Sequence, residues 1–467
     1  MSASLKLKQT FDVISKYGAF YTGGNVEWLN NNLFCQTNSV INVVDIETGS
    51  VTSTIGDDAE NNIDNIQTFT KNDENVVTSH KSGLLKLWNH KGQLVKQWKY
   101  IHKGPIAKLQ LGNNILISGG SDSTIRCWDL EHQVCLFCLK GLEGVVSIVE
   151  FHPVERWIFG SGDNGNINMW EIEKGKLLKV FSGHYSKVTS LCFHHDNKHF
   201  ITSSRDKVLI LWNIENQSAI KTVPVYEVIE SVVSLPKKIE LPHISIAHDS
   251  IHIATAGNKG VIRIWDIANC KEIYVQGNSL INKCNTEGGL AITKLLFNVE
   301  LEAFAVLSQE HTIVIHDLKT FKCVKQFVGF SDEILDAVYV GKDDSYLAVA
   351  TNSADIKLYE DSTMNCKLLK GHTDIVLALS KCPDKPILML SSSKDNSIRL
   401  WLMDEGNVQC VGIGLRHTGS VGSVAFGQSS FLVSVSQDMC IKKWELPSKF
   451  KENCNLFFSI GISRYVH

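Results

Sequence analysis

The chain has no apolar run approaching the roughly 20 residues of a membrane-spanning helix, so no span is expected. Its opening, MSASLKLKQTFDVIS, has no long apolar core, and no secretory leader is expected either. Charge of one sign does not dominate: 46 Lys and Arg face 49 Asp and Glu, a formal net charge of -3. That argues against a protein that coats nucleic acid with its whole surface, which needs a basic excess, and leaves room for a local patch. The 13 cysteines include no Cys and His set at a metal-holding spacing. Without a leader they are expected in a reduced compartment, cytosol or nucleus, as small core hydrophobes rather than staples or ligands. There is no GxxxxGK(S/T) phosphate loop, no HExxH zinc helix and no GxSxG elbow. No cofactor, metal or small-molecule substrate is expected. The Gly-rich stretch Gly119–Ser123 reads as a strand turn, and the pair His194–His195 as a surface turn.

No long stretch follows a helical period. What recurs is an apolar-alternating run ending in an aromatic. LLKLWN ends on Trp88, TIRCWD on Trp128, NINMWE on Trp170 and VLILWN on Trp212; VIRIWD ends on Trp265, SIRLWL on Trp401 and CIKKWE on Trp444. Three weaker members place Val44, His316 and Tyr359 at the same point. The steps between the ten positions are 44, 40, 42, 42, 53, 51, 43, 42 and 43 residues. Alternation over five or six positions after a tight-turn signal is the pattern of a half-buried strand.

In four of the repeats a fixed set of polar residues surrounds the aromatic. These are His102, Ser118, Asp122 and Trp128; His184, Thr202, Asp206 and Trp212; His372, Ser391, Asp395 and Trp401; and His417, Ser434, Asp438 and Trp444. Ser or Thr stands four residues before the Asp each time, and Trp six after it. His, Ser and Asp in one short unit invite a hydrolase reading, but a catalytic triad occurs once per site and this set occurs four times. A period near 42 and this set resemble the WD-repeat proteins, whose blades are about 40–45 residues of four strands. The resemblance implies an all-β chain, a β-propeller of about ten blades, in which the four residues are a structural tetrad and not a catalytic site. A buried indole N–H or imidazole without a partner costs about 1–3 kcal/mol. Elsewhere the set is eroded. Ser82, Lys259 and Glu310 take the Asp place, and in the fourth repeat Asn164 does, with Asp163 one residue early. Apolar strand packing is expected to hold those blades.

A closed propeller usually has about 4–8 blades. Ten repeats therefore divide into a seven-bladed ring over residues 1–328 and three blades of a partial second ring over 329–446, with a non-repeat tail at 447–467. An open group of three blades is expected to expose an apolar face and a sheet edge. Two spacings run about ten residues long, through Thr222–Pro242 and Gln276–Gly289. Long loops on a rigid scaffold carry binding, which makes Tyr226, Glu227, Lys237 and Lys238 a candidate interaction loop. Lys6 and Lys8, Lys96–Lys103, and Lys237 with Lys238 are basic points that could meet RNA phosphates. There is no RNA-recognition motif, so any RNA contact is expected by backbone.

Six segments carry a more specific likeness: FYTGG (Phe20–Gly24), HYSKVTSLCF (His184–Phe193), SSRDKVLILW (Ser203–Trp212), TVPVYEVIES (Thr222–Ser231), KQFVGFSDEILDAVYVG (Lys325–Gly341) and GHTDIVLAL (Gly371–Leu379). With these the chain resembles the transducin-beta-like protein three family over about residues 10–447. The family implies nucleolar WD-repeat proteins of the small-subunit processome. It implies partners among the other WD-repeat subunits of the UtpB subcomplex, and the box C/D snoRNP and pre-rRNA, met indirectly or by backbone contact. The function implied is a non-enzymatic scaffold for processing to 18S rRNA, in the nucleus and nucleolus, with no membrane. The family pattern has two seven-bladed propellers and a helical C-terminal domain, so this chain is expected to be a C-terminally shortened form. The competing expectation is a cytoplasmic tandem-propeller adaptor, in actin regulation or as a ubiquitin-ligase substrate receptor.

Overall fold

A computed structural model describes residues 20–56, 64–112, 114–236, 240–241, 244–245, 251–277, 291–309, 311–328, 333–361, 363, 365–404, 407–427 and 431–446. Among them there is no α-helix; one 3-10 turn, Lys342–Asp344, interrupts the strands. The strands form nine four-stranded antiparallel sheets, a tenth of three strands, and a short hairpin of Glu240–Leu241 with Ile244–Ser245. The described residues thus make an all-β chain of ten successive blade-like sheets. Lys237, Lys238 and the 447–467 tail lie outside the described residues.

The chain divides into two compact units, residues 1–331 and 332–467. In the first unit seven sheets follow one another, starting at Val26–Leu29 and ending at Cys323–Val328. From the second sheet to the seventh, the first strand of each lies beside the first strand of the next, and the first strand of the seventh, Ile292–Asn298, returns to that of the first, Val26–Leu29. Polar bonds join that seam. Lys294 Nζ donates to Asn25 Oδ1 (2.7 Å) and the Val26 carbonyl (2.8 Å), and Asn298 Nδ2 to the Asn30 carbonyl (2.8 Å). Phe20 packs edge-on against Phe327, ring centroids 5.9 Å apart.

Second-strand residues such as Phe34, Ile117, Phe159 and Ile201 are buried because each sheet of the first unit is packed between two others. The cores accordingly form between blades. One joins Phe159 and Phe181 of the fourth sheet to Phe200 and Trp212 of the fifth. Outer strands alternate, as in Val134–Leu139 and Lys176–Phe181, because only one face is covered. The expectation of core cysteines needs correcting: Cys138 and Cys323 on outer strands, and Cys270 and Cys440 between strands, are exposed. The one Cys-x-x-Cys, Cys135 and Cys138, lies on an outer strand, where positions three apart point to opposite faces and cannot share a metal. The strand pairing slips by one residue beside Trp88, Trp128, Trp170, Trp212, Trp265 and Trp401, a bulge that re-aims the side chain.

The second unit holds the last three sheets. Ile334, Leu335 and Tyr339 on its first strand are exposed, and so are Val435 and Ile441 on its last sheet, Ile441 at 74%.

Candidate functional site

The four polar sets are each brought together by the same three strands and one turn. The His lies just before the first strand, the Ser or Thr on the second, the Asp in the turn after it, and the Trp on the third. Each indole N–H donates to the hydroxyl: Trp128 to Ser118 (2.8 Å), Trp212 to Thr202 (2.9 Å), Trp401 to Ser391 (2.8 Å) and Trp444 to Ser434 (2.7 Å). The hydroxyl meets His Nε2 at 2.8, 2.8, 2.7 and 2.7 Å, and His Nδ1 meets the Asp carboxylate at 2.9, 2.9, 2.9 and 2.7 Å. The carboxylate then accepts the backbone N–H of the residue after the His: Lys103, Tyr185, Thr373 and Thr418.

One proton arrangement satisfies the whole chain of bonds. The indole fills a hydroxyl lone pair, the hydroxyl proton goes to Nε2, and the neutral imidazole donates from Nδ1 to an ionised Asp. The other neutral tautomer, with its proton on Nε2, would turn the Nδ1 lone pair toward the carboxylate. Burial, working against the hydrogen bond to Asp, holds His102, His184 and His372 below the usual imidazole range. Burial raises Asp122 and Asp395, but hydrogen bonds from His102, Lys103 and Thr124, and from Ser397, Thr373 and His372, outweigh it and bring both down to about 2. The hydroxyls belong to residues that are wholly buried, Ser118, Thr202, Ser391 and Ser434 all being 0% exposed, and each lies against an indole. These hydroxyls have no approach for a substrate carbonyl.

The second blade holds a set that the spacing hides. Trp88 Nε1 donates to Thr78 Oγ1 (2.9 Å), which meets His80 Nε2 (2.8 Å). His80 Nδ1 then lies 3.1 Å from the Asp64 carbonyl and 3.5 Å from its carboxylate, which also takes the Ser82 N–H (3.0 Å) and hydroxyl. His and Asp have exchanged places, so Ser82 does not mark an eroded blade. The retained signal is Thr78, ten residues before Trp88, as Ser118 is before Trp128. In the sixth blade Trp265 Nε1 still donates to Thr255 (3.0 Å). In the fourth, Asp163 accepts the Val145 N–H (2.9 Å) and pairs with Lys187 of the next blade (2.9 Å). Gly160, Gly162 and Gly165 around it have the GxGxxG spacing but run between two strands, not into a helix.

The candidate loop divides. Tyr226 is 79% exposed, whereas Glu227 is buried and lies 2.7 Å from the Arg263 guanidinium on the third strand of its own blade. Glu227 is therefore a strut and not a contact residue: it stands two residues before its first strand, as Asp64 does. Lys237 and Lys238 are outside the described residues, as are Lys6, Lys8 and Glu310. Of the other basic points, Lys96 Nζ donates to the Leu130 and Glu131 carbonyls (3.3 and 2.9 Å) and ties neighbouring blades. His195 lies exposed in a turn, as expected, with its Nε2 2.9 Å from the Leu235 carbonyl, whereas His194 is buried and departs from the surface-turn reading.

A second concentration of charge belongs to the first strands of the first unit. Glu27, Lys108, Glu150 and Lys294 come from four different blades and influence one another, with Lys71 beside Glu27. Glu27 takes Asn25 Nδ2 (3.0 Å) and the Lys71 N–H (3.2 Å). Burial among the blades raises Glu150 to about 7 and lowers Lys294 to about 8. Among the described residues no three His, Cys, Asp or Glu are placed to hold a metal ion.

Residues 98–129, 133–171, 175–213 and 364–401 match the WD domain, G-beta repeat family. Over 454 residues, 95% of its length, the chain is 32% identical to Transducin beta-like protein 3 of Mus musculus, of which it covers 55%. It is 26% identical over 258 residues to U3 small nucleolar RNA-associated protein 13 of Saccharomyces cerevisiae, 49% of this chain and 29% of that protein. A shorter likeness, 37% over 109 residues, joins it to WD repeat and SOCS box-containing protein 1 of Takifugu rubripes, 23% of this chain and 25% of that protein. The chain thus spans about half the length of the Transducin beta-like relatives it matches.

Proposed function

We propose, from the premise that this chain belongs to the Transducin beta-like protein 3 family of WD-repeat proteins, that it is a non-enzymatic scaffold in ribosomal small-subunit biogenesis. It acts in the nucleolus, holding the other WD-repeat subunits of the UtpB subcomplex and, through them, the box C/D snoRNP on pre-rRNA. The observation that carries the reading is likeness along 95% of the chain to that family, together with a yeast relative whose name places it with the U3 small nucleolar RNA. The side-chain geometry supports the non-enzymatic part, because each His, Ser or Thr, and Asp set is saturated by its own Trp and backbone. We assign residues 1–328 to one seven-bladed propeller and 329–446 to three blades of a second. The exposed Ile334, Leu335 and Ile441 are then surfaces for partner subunits.

The adaptor reading has weaker support, since the SOCS-box relative matches over 109 residues, 23% of this chain. Depleting the protein from growing cells and probing rRNA by hybridisation separates the two. The scaffold reading expects uncut 18S precursors to accumulate while large-subunit rRNA stays level. Unchanged precursor ratios with a cytoplasmic protein would favour the adaptor.

A further inference from the structure

Among the described residues, Tyr185 and Tyr226 are the two most exposed aromatic side chains, at 97% and 79%. Both lie on loops that enter a blade, Tyr185 before the fifth and Tyr226 before the sixth. Between them stands one turn, Arg205–Asp206–Lys207. Asp206 accepts the Tyr185 backbone N–H (3.0 Å), and the Lys207 carbonyl accepts the N–H of Val225, the residue before Tyr226 (2.9 Å). The loops that carry the two rings are therefore both bonded to one turn, whose two cations, Arg205 and Lys207, are exposed.

The platform is rigid. Tyr185 follows His184, which is fixed by Thr202 and Asp206 (2.8 and 2.9 Å). Tyr226 sits between buried Val225 and buried Glu227, the latter held by Arg263. The neighbouring turn of the sixth blade is bonded to the same loop, Asn258 N–H to the Val228 carbonyl (3.1 Å), and adds exposed Lys259. Carboxylates nearby are already occupied. Asp206 is in its set, Glu227 faces Arg263, Asp163 faces Lys187 (2.9 Å), and Glu230 is a longer 3.7 Å from Arg205.

A ring standing clear of the surface offers both faces for stacking. Stacked bases use aromatic faces without regard to sequence, and cations beside them take the phosphates. A protein-docking hot spot is instead an apolar anchor set in a pocket. The geometry points to the Tyr185–Arg205–Lys207–Tyr226 face of the first unit as a binding surface for single-stranded RNA. This rests on the scaffold reading for the cellular source of the RNA, but not for the binding itself.

The test is fluorescence anisotropy of the purified full chain with a labelled single-stranded oligouridylate, across a salt series. Binding is expected, with Tyr185→Ala and Tyr226→Ala each weakening it roughly five-fold or more, and the phenylalanine variants keeping it. Arg205→Gln and Lys207→Gln should each flatten the salt dependence by about 0.7 in log–log slope. Melting temperatures of the exposed-tyrosine variants should match the parent. No binding by the parent, unchanged affinity in the alanine variants, or loss in the phenylalanine variants would overturn the proposal. So would unchanged RNA affinity in the double alanine variant with loss of a co-purifying protein, which would make this face a protein-docking surface. Any of these failures leaves the scaffold reading standing, since that reading needs no direct RNA contact.

Discussion

Replacing Trp212 by alanine is expected to lower the unfolding free energy of the chain by about 3–5 kcal/mol, the range for emptying a buried aromatic site. Trp212 is 2% exposed. Its ring stacks on Phe200 at 6.0 Å and meets Phe181 edge-on at 5.6 Å, in the core that joins the fourth blade to the fifth. Losing it also leaves Thr202 and His184 without the donor that orders their bonds. Trp212→Phe keeps part of the packing but loses the indole N–H and some ring volume, so it should cost about 1–3 kcal/mol, less than alanine. Urea unfolding of the parent and the two variants reads both values. A cost below 1 kcal/mol for alanine would mean that these blades are held by something other than the packing between them.

Acid is expected to weaken the fold, and His316 should account for a large single share. It stands on the third strand of the seventh blade where other blades carry Trp, with the same slipped pairing beside it. Burial lowers it to about 4 from an ordinary value of 6.5, against a hydrogen bond with Phe321 that raises it. A depressed value means that the folded state keeps the ring neutral. Its contribution is present above the unfolded value of 6.5 and is lost as pH falls through the folded value near 4. The difference of about 2.5 units corresponds to about 3 kcal/mol. His102, His184 and His372 shift in the same direction. Asp122 and Asp395, brought down to about 2, extend the loss below the ordinary 3.8. Glu150 acts the other way, because its raised value favours the fold at lower pH. The clean readout is therefore the parent against His316→Phe at each pH. The stability gap should move by about 3 kcal/mol in favour of the variant between neutral pH and below 4. A gap independent of pH would contradict the burial of a neutral ring.

The ten third-strand positions could be read from the sequence because each carries a local signal, an alternating run ending in an aromatic in all but the first, where Val44 stands, at a period mostly near 42. The four sets could be read because His102, Ser118, Asp122 and Trp128 keep their spacing in later repeats. The exchange of His80 and Asp64 escaped that spacing, since one partner precedes the first strand and the other follows Thr78 on the second. Glu227 looked like a contact residue beside exposed Tyr226 because its partner Arg263 is 36 positions away and is met only in the folded blade. Glu27, Lys108, Glu150 and Lys294 have no shared motif at all. They meet because the first strands of the first unit run in a circuit. Local spacing, in short, reports what one blade does with its own residues, and assembly of blades decides the rest.

The measurement that tests the scaffold account most directly is a pull-down of the tagged chain from growing cells at moderate salt, with sequencing of the bound RNA. The account predicts enrichment of box C/D snoRNA and 18S precursor over an untagged control. Recovery of neither RNA, with the tagged protein intact, would contradict it.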